Sequence, residues 1–186
     1  AEAIRRDIRR ELGLTASAGV APNKFLAKIA SDMNKPDGLF VLTPDKVPKF
    51  VAQLPLQKIP GIGSKTAQRL ASLGLHKGGD VLAYPAHELL RQFGKCGQML
   101  WQRAQGIDER PVEPSRVRKS VGVELTLPQD LYRLDEMLPI LEQLEADLHL
   151  RLGRHSPDGQ IVRQGVKLKF ADFQQTTVER SSERLD

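Results

Sequence analysis

The chain has 186 residues, 40% of them hydrophobic and 5% aromatic, with 28 Lys and Arg against 23 Asp and Glu, a net charge of +5 and a pI of about 9.5. That length allows one large domain or two to three small ones, and the charge favours a polyanionic partner only weakly. The single cysteine, Cys96, excludes a disulfide framework, the four histidines lack the spacing of a metal site, and no apolar run is long enough to span a membrane.

Helical and strand patterns alternate near the start of the chain. Residues 1–12 predict an amphipathic helix whose pattern is already under way at its first residue, so we expect a piece of a longer protein. Alternation over 14–20 predicts a strand, Pro22 opens a second helix, and 39–42 predict a second strand. These elements predict an α/β segment with too few strands to close a sheet.

The most distinctive turn in the sequence lies within a run of short predicted helices. Gly61 and Gly63 bracket Ile62, and a helical pattern begins directly after them. Glycine permits positive φ and the close approach of another backbone, while Ile62 can fill the joint between two helices. With Ser64 as the expected N-cap and Lys65 beside it, the free N–H groups at the helix start can bind phosphate. The pattern predicts a helix-hairpin-helix, which grips nucleic-acid backbone without reading bases.

Other glycine-rich phosphate motifs do not fit this turn. A dinucleotide fingerprint requires a third Gly where Thr66 stands, and a P-loop requires Gly immediately before Lys65, where this chain has Ser. A tight helix turn without a ligand remains the alternative. Gly94 and Gly97 flank Lys95 in a second turn, which a plain helix–helix connection explains at least as well as a weaker backbone contact.

Strand patterns return beyond residue 116, around one long helix that Asp135 is expected to cap. Alternation predicts three strands, at 119–126, 162–170 and 174–179. The apolar residues expected to pack between sheet and helix are Val121, Val123, Leu125, Met137, Leu141, Leu144, Leu148, Leu152, Val166, Leu168 and Phe170. Lys167 and Lys169 fall on the opposite face of their strand, because side chains alternate across a strand. The pattern predicts an α+β layer.

A long motif near the start of the chain reads Thr15-Ala-Ser-Ala-Gly-Val-Ala-Pro-Asn-Lys-Phe-Leu-Ala-Lys-Ile-Ala-Ser-Asp-Met-Asn-Lys-Pro36. It resembles the last part of the palm of Y-family translesion DNA polymerases, nearest to the bacterial DNA polymerase IV (DinB-like) branch. The helical unit matches that family's thumb, and residues 118–124 and 165–177 are similar to its little-finger domain. The resemblance covers essentially the whole chain in family order.

The resemblance implies a multi-domain α+β chain. Its expected parts are a partial α/β palm segment (1–43), an all-helical thumb with the helix-hairpin-helix (44–107), a linker (108–116) and a truncated little-finger sheet domain (117–186). It implies error-prone translesion synthesis in DNA repair, in the cytoplasm, with primer–template DNA and a deoxynucleoside triphosphate as partners. Lys28, the Lys of Leu-Ala-Lys, is expected to reach the triphosphate. The residues expected to bind DNA are Gly61, Ile62, Gly63, Ser64, Lys65, Lys95, Arg118, Lys119, Ser120, Lys167 and Lys169.

The same resemblance also implies what the chain lacks. The family holds two Mg²⁺ ions with an Asp near its N-terminus and an Asp-Glu pair after a Ser, and neither arrangement occurs here. We therefore assign no catalytic or metal-binding residue and expect this polypeptide to be inactive alone. The clamp-binding tail of the family is absent as well, so a sliding clamp is expected only as a partner of the full-length protein. The alternative function is a non-catalytic helix-hairpin-helix module of a repair or recombination factor, which would have no reason to contain residues 15–36.

Overall fold

A computed structural model describes residues 1–155 and 161–181, which form mixed helices and two small sheets. The chain divides into two compact units, Ala1–Glu113 and Pro114–Asp186. None of the helices in the described part is long and apolar enough to cross a bilayer.

The first unit begins with alternating helices and strands. Its elements are α1 (Glu2–Leu12), β1 (Ala18–Val20), α2 (Lys24–Met33) and β2 (Leu39–Val41). The two strands pair in parallel, from Ala18 with Leu39 to Val20 with Val41, and α2 is the crossover between them. The helix expected from Pro22 begins two residues later, because the side chain of Asn23 accepts a hydrogen bond from the Leu26 N–H and so caps it. The predicted α/β segment is present, and β1 is shorter than the strand expected over 14–20.

The rest of the first unit is helical. Its helices are α3 (Val47–Gln53), α4 (Ser64–Ala71), α5 (Gly78–Ala83), α6 (Ala86–Phe93) and α7 (Lys95–Ala104), with single 3-10 turns at Pro44–Lys46 and Leu56–Lys58. One buried apolar cluster joins these helices to α2. Its largest fully buried members are Phe25, Leu26, Val51, Leu56, Ile59, Leu70, Val81, Leu89 and Leu100. The all-helical unit expected here is therefore packed on the α/β segment through a common core.

The second unit contains α8 (Leu134–His155), β3 (Arg163–Lys169) and β4 (Gln175–Ser181). The strands pair antiparallel, with Val166 opposite Val178. Asp135, the expected cap, is instead the second residue of α8, where its charge suits the helix N-terminus. The seam on α8 is close to the expected one, with half-buried Met137, Ile140, Leu144, Leu148 and Leu152. Leu141 is 40% exposed, so Ile140 takes its place.

The strand expected over 119–126 is absent from the described structure. Val121 and Val123 are half-buried, as their alternation predicts, but Leu125 is 54% exposed. Alternation describes a two-faced extended segment, whereas a strand also requires a neighbouring backbone. In the described part of this unit, only β3 and β4 pair with one another. This segment is instead held by Arg151 of α8, whose Nη1 donates to the Gly122 carbonyl at 2.8 Å.

The expected packing of the sheet on α8 is also wrong. Every residue of β3 and β4 is exposed, and Val166, Leu168 and Phe170, expected to point inward, are 41%, 47% and 56% exposed. A two-stranded sheet has two faces, and no element among the described residues covers the apolar one. The strand pattern is thus correct, and the predicted burial is not.

Candidate nucleic-acid interface

The hairpin predicted around Gly61 is present. The 3-10 turn Leu56–Lys58 leads into it and α4 leaves it, and the N–H of Ile62 donates to the carbonyl of Ile59 at 3.0 Å. Ile59 and Ile62 are 1% and 7% exposed, so Ile62 fills the joint as expected. Gly61 has φ +99°, a conformation that favours glycine. The hairpin is therefore fixed from inside by two isoleucines and at its tip by one glycine.

The start of α4 is open to a ligand. Gly63, with φ −80° and ψ 172°, is its N-cap, so the expected cap Ser64 is the first helical residue. The reason is that the Gly63 carbonyl already accepts the first helical hydrogen bond, from the Ala67 N–H at 2.9 Å. No side chain caps this helix, and Gly63, Ser64 and Lys65 are all exposed. The first N–H groups of α4 are thus left for an external acceptor, beside the Lys65 charge.

The fold itself does not require glycine at Gly63. Its φ is ordinary, and a Cβ built there has no heavy atom within 4 Å. At Gly61, by contrast, the positive φ disfavours any other residue, and a Cβ would lie 3.5 Å from Cε of Met99. A side chain at position 63 would stand in front of the helix start, so glycine leaves that space open to a group from outside the chain.

The second hairpin joins α6 to α7 and uses its glycines differently. Gly94 has φ +54° and is the N-cap of α7, again without a side-chain cap, and Lys95 beside it is exposed. Gly97 is buried, and a Cβ there would lie 2.2 Å from the carbonyl oxygen of Leu89. Gly97 therefore permits close packing of α6 and α7, while Gly94 and Lys95 form the part of this turn that faces solvent.

The two hairpins contact one another. The guanidinium of Arg69 on α4 lies 4.7 Å from the centroid of the Phe93 ring on α6, and its Nη2 donates to the Gln92 carbonyl at 2.9 Å. The tip at Gly61 approaches Met99, one helical turn beyond Lys95. The exposed starts of α4 and α7 thus belong to one packed group of helices.

Lys28 projects from α2 into solvent. Its Nζ lies 2.8 Å from Asp32 Oδ2, one turn later on the same face. A hydrogen bond from Lys28, with a smaller contribution from a hydrogen bond from Lys35, lowers the pKa of Asp32 to about 2, so this carboxylate is charged at neutral pH. An exposed ion pair contributes little to stability. Lys28 can therefore exchange this carboxylate for a phosphate oxygen at small cost.

The basic residues expected in the second unit are only partly brought together. Lys167 and Lys169 lie on one face of β3 with Arg163, opposite Thr177, Gln175 and Ser181 of β4. Nζ of Lys169 lies 4.5 Å from the Phe173 ring centroid, and Arg163 Nη1 lies 3.5 Å from Glu179. Arg118, Lys119 and Ser120 are exposed and lie outside any strand, so they do not extend this face as a neighbouring strand.

One functional candidate has no counterpart among the expected site residues. Asp108 lies in the segment expected to be a linker, yet its side chain is fully buried and bonded to Phe25, Arg103 and Arg110. The arginines five residues before and two residues after it are the signal in the sequence, since a buried carboxylate requires a charged partner. Among the described residues, no group of three His, Cys, Asp or Glu side chains could hold a metal ion.

Family comparisons cover most of the chain in three segments. Residues 57–108 match the thumb domain of DNA polymerase-iota, residues 1–32 match the impB/mucB/samB family, and residues 118–185 match the C-terminal domain of that same family. The matched segments follow one another in the order expected from the resemblance.

Curated relatives are similar over almost the entire chain. The chain is 58% identical over 182 residues to a protein named DNA polymerase IV from Shewanella oneidensis, covering 98% of this chain and 51% of the relative. It is 58% identical over 179 residues to a protein of the same name from Pectobacterium atrosepticum, covering 96% and 51%. The chain therefore spans about half the length of the curated relatives it matches.

Solved structures agree in fold. A Y-family DNA polymerase chimera, Dbh-Dpo4(243-245)-Dbh, superimposes with a TM-score of 0.79 at 34% identity, over 98% of this chain and 52% of that one. An insertion ternary complex of Dbh DNA polymerase superimposes with a TM-score of 0.61 at 31% identity, with the same coverage. These similarities support a Y-family polymerase thumb and little-finger fold for this chain.

Proposed function

This chain belongs to the DinB-like branch of the Y-family DNA polymerases, and on that premise we propose that it supplies the DNA-gripping half of an error-prone translesion polymerase. We assign to it the end of the palm (1–43), the thumb (44–107), a linker (108–116) and most of the little finger (117–186). The observation that carries the proposal is the uncapped, exposed start of α4 behind Gly63, where the fold leaves space for a phosphate. The non-catalytic module considered as the alternative does not account for the match over residues 1–32.

In this proposal the two hairpins hold the DNA backbone from one side. The N–H groups of Ser64 and its neighbours donate to one phosphate, and Lys65 adds charge there. Lys95, at the start of α7, reaches a second phosphate, and Lys167 and Lys169 provide a basic platform on β3. These groups bind without reading bases, because phosphates carry no direct sequence information.

Lys28 has a separate role in the proposal. A Lys on a helix is a compact cation for phosphate oxygens, and we assign Lys28 to the triphosphate of the incoming nucleotide. The two Mg²⁺ ions of the complete enzyme would orient the 3′-hydroxyl and the triphosphate. The described residues do not fit such a site, since no group of three His, Cys, Asp or Glu side chains among them could hold a metal ion. In the proposal the full-length protein works in the cytoplasm, in damage bypass, with a sliding clamp as its further partner.

The salt dependence of DNA binding tests this function. With four to six phosphates contacted, we expect log K to fall against log salt with a slope between roughly −3.6 and −5.4 on primer–template duplex. Fluorescence anisotropy of the 186-residue polypeptide on a labelled primer–template, repeated with a second sequence of equal length, measures this slope. A flat salt response, or strong preference for one of the two sequences, contradicts the proposal.

Catalysis by the polypeptide itself is expected to be absent. With Mg²⁺ and all four deoxynucleoside triphosphates, it should add no nucleotide to a primer, because no group of three His, Cys, Asp or Glu side chains among the described residues could hold the metals. Denaturing gel analysis of a labelled primer measures this, with full-length DNA polymerase IV of Shewanella oneidensis as the positive control. Template-dependent extension that scales with the polypeptide and persists through further purification overturns the assignment.

A further inference from the structure

The N-terminus of α2 is bonded to the segment that follows α7. The Phe25 N–H donates to Oδ2 of Asp108 at 3.0 Å, and Nδ2 of Asn23 donates to the Gly106 carbonyl at 2.7 Å. Both bonds join residues 83 positions apart in the sequence. The start of the helix that carries Lys28 is therefore fixed directly to the end of the helical unit that carries the two hairpins.

A buried ion network holds Asp108 in this position. Arg103 of α7 places Nη2 3.0 Å from Asp108 Oδ1, and its guanidinium lies 5.3 Å from the Phe25 ring centroid. The side chains of Asp108 and Arg103 are 0% and 7% exposed, whereas that of Arg110, which also bonds Asp108, is 62% exposed. The hydrogen bond from Arg110 is the main cause that keeps the pKa of Asp108 far below its usual value, so the carboxylate stays charged.

The joint is more than a cap on α2. Asn23 already caps this helix through the Leu26 N–H, so the bond from Phe25 to Asp108 is a second connection at the same helix start. Removing one partner of a buried ion pair leaves the other charge uncompensated, and Asp108 faces a buried one in Arg103. The bonds from Phe25 and Arg103 to Asp108 thus connect the start of α2 directly to α7.

We propose that Asp108 is a positioning residue, which sets the placement of α2 relative to the hairpin helices. Its meaning for catalysis rests on the proposed function: Lys28 on α2 would contact the triphosphate while α4 and α7 hold the DNA, so the joint would keep these two phosphate contacts in register. Asn23 is the second member of the joint, through its amide bond to Gly106.

Spin-label distances test the positioning directly. In a Cys96→Ser background, labels at Met33→Cys on α2 and Gln68→Cys on α4 occupy exposed positions outside the joint. Pulsed electron–electron double resonance on the 186-residue chain should give one narrow distance distribution between the two labels. With Asp108→Asn, we expect a broadened distribution with a second population, measured well below the unfolding temperature. Arg110→Ala is the matched control: it removes the exposed bond to Asp108 but leaves the buried Arg103 and the Phe25 N–H bonded to it, so the distribution should stay narrow.

A milder variant covers the case in which Asp108→Asn does not fold. Asn23→Ser keeps a capping oxygen for the Leu26 N–H but removes the amide bond to Gly106, so it should broaden the distribution without unfolding the chain. Unchanged distances in Asn23→Ser and in any folded Asp108→Asn protein overturn the proposal, even if both lower the unfolding temperature. DNA affinity is measured on the same samples: if the parent does not bind DNA, the proposed function fails, while the distances still decide the positioning role.

Discussion

Reversing the charges of Lys167 and Lys169 together is expected to lower primer–template affinity at low salt by roughly tenfold or more and to flatten the salt slope by roughly 1.8 units. The slope change is that of two phosphate contacts, and the affinity loss also includes repulsion between the new carboxylates and the DNA. Anisotropy titrations of Lys167→Glu with Lys169→Glu over a range of salt concentrations measure both quantities.

The geometry of the sheet supports this expectation. Lys167 and Lys169 share one face of β3 with Arg163, and the residues opposite them on β4 are the uncharged Thr177 and Gln175. The acidic residue on the same face, Glu179 of β4, lies 3.5 Å from Arg163 and partly neutralises the charge of that arginine. Both lysines are exposed, and circular dichroism of the double variant should match that of the parent.

A matched control separates local contact from net charge. Arg6→Glu with Arg10→Glu on α1 changes the net charge equally, at two exposed positions of the other unit. It should leave the salt slope near the parent value. If the β3 variant binds DNA as the parent does at low salt, the face of β3 is an ordinary solvated surface and the hairpins alone bind the DNA. If the α1 variant loses as much affinity, net charge and not contact at β3 accounts for the loss.

The hairpin was predictable from sequence because its determinants are local. The turn needs glycine at position 61 for its positive φ and an apolar side chain at Ile62 to fill the joint. Both residues lie next to one another in the sequence, so the pattern can be recognised without the fold. Ser64 was expected as the cap from its type alone, whereas the structure places Gly63 there. Helix boundaries are decided by which carbonyl accepts the first bond, so an error of one residue is typical of such predictions.

Long-range arrangements were not predictable in the same way. Alternation over 119–126 correctly gave half-buried Val121 and Val123, but no pattern within a segment states whether another strand lies beside it. Asp108 was missed for a similar reason. Proline-flanked charged residues are typical of exposed linkers, and its burial depends on Phe25 and Arg103, which only the folded chain brings to it.

Replacing Gly63 by Val is expected to weaken primer–template binding by about 1.5–3 kcal/mol, roughly ten- to a hundredfold, because a side chain there keeps the phosphate from the free N–H groups of α4. The fold should survive, since Gly63 has an ordinary φ and open space around its Cβ position, with a loss of roughly 1 kcal/mol in stability because Val is a poorer N-cap than Gly. Anisotropy measures the loss of affinity, and circular dichroism with thermal unfolding measures the fold. Gly63→Ala should give an intermediate loss of affinity.

Gly97→Ala provides the contrasting control, in the other hairpin. Its Cβ would lie 2.2 Å from the Leu89 carbonyl oxygen, so α6 and α7 must separate, and the free energy of unfolding should fall by about 1–3 kcal/mol. Folded Gly97→Ala protein should keep more of the DNA affinity than Gly63→Val, because Gly97 is buried and the exposed starts of both helices remain. Two glycines of similar sequence context would then be separated by function, one required by the ligand and the other by the core. If Gly63→Val binds DNA with the affinity of the parent, the first hairpin is a plain helix turn without a ligand. The open space in front of α4 would then not be a phosphate site.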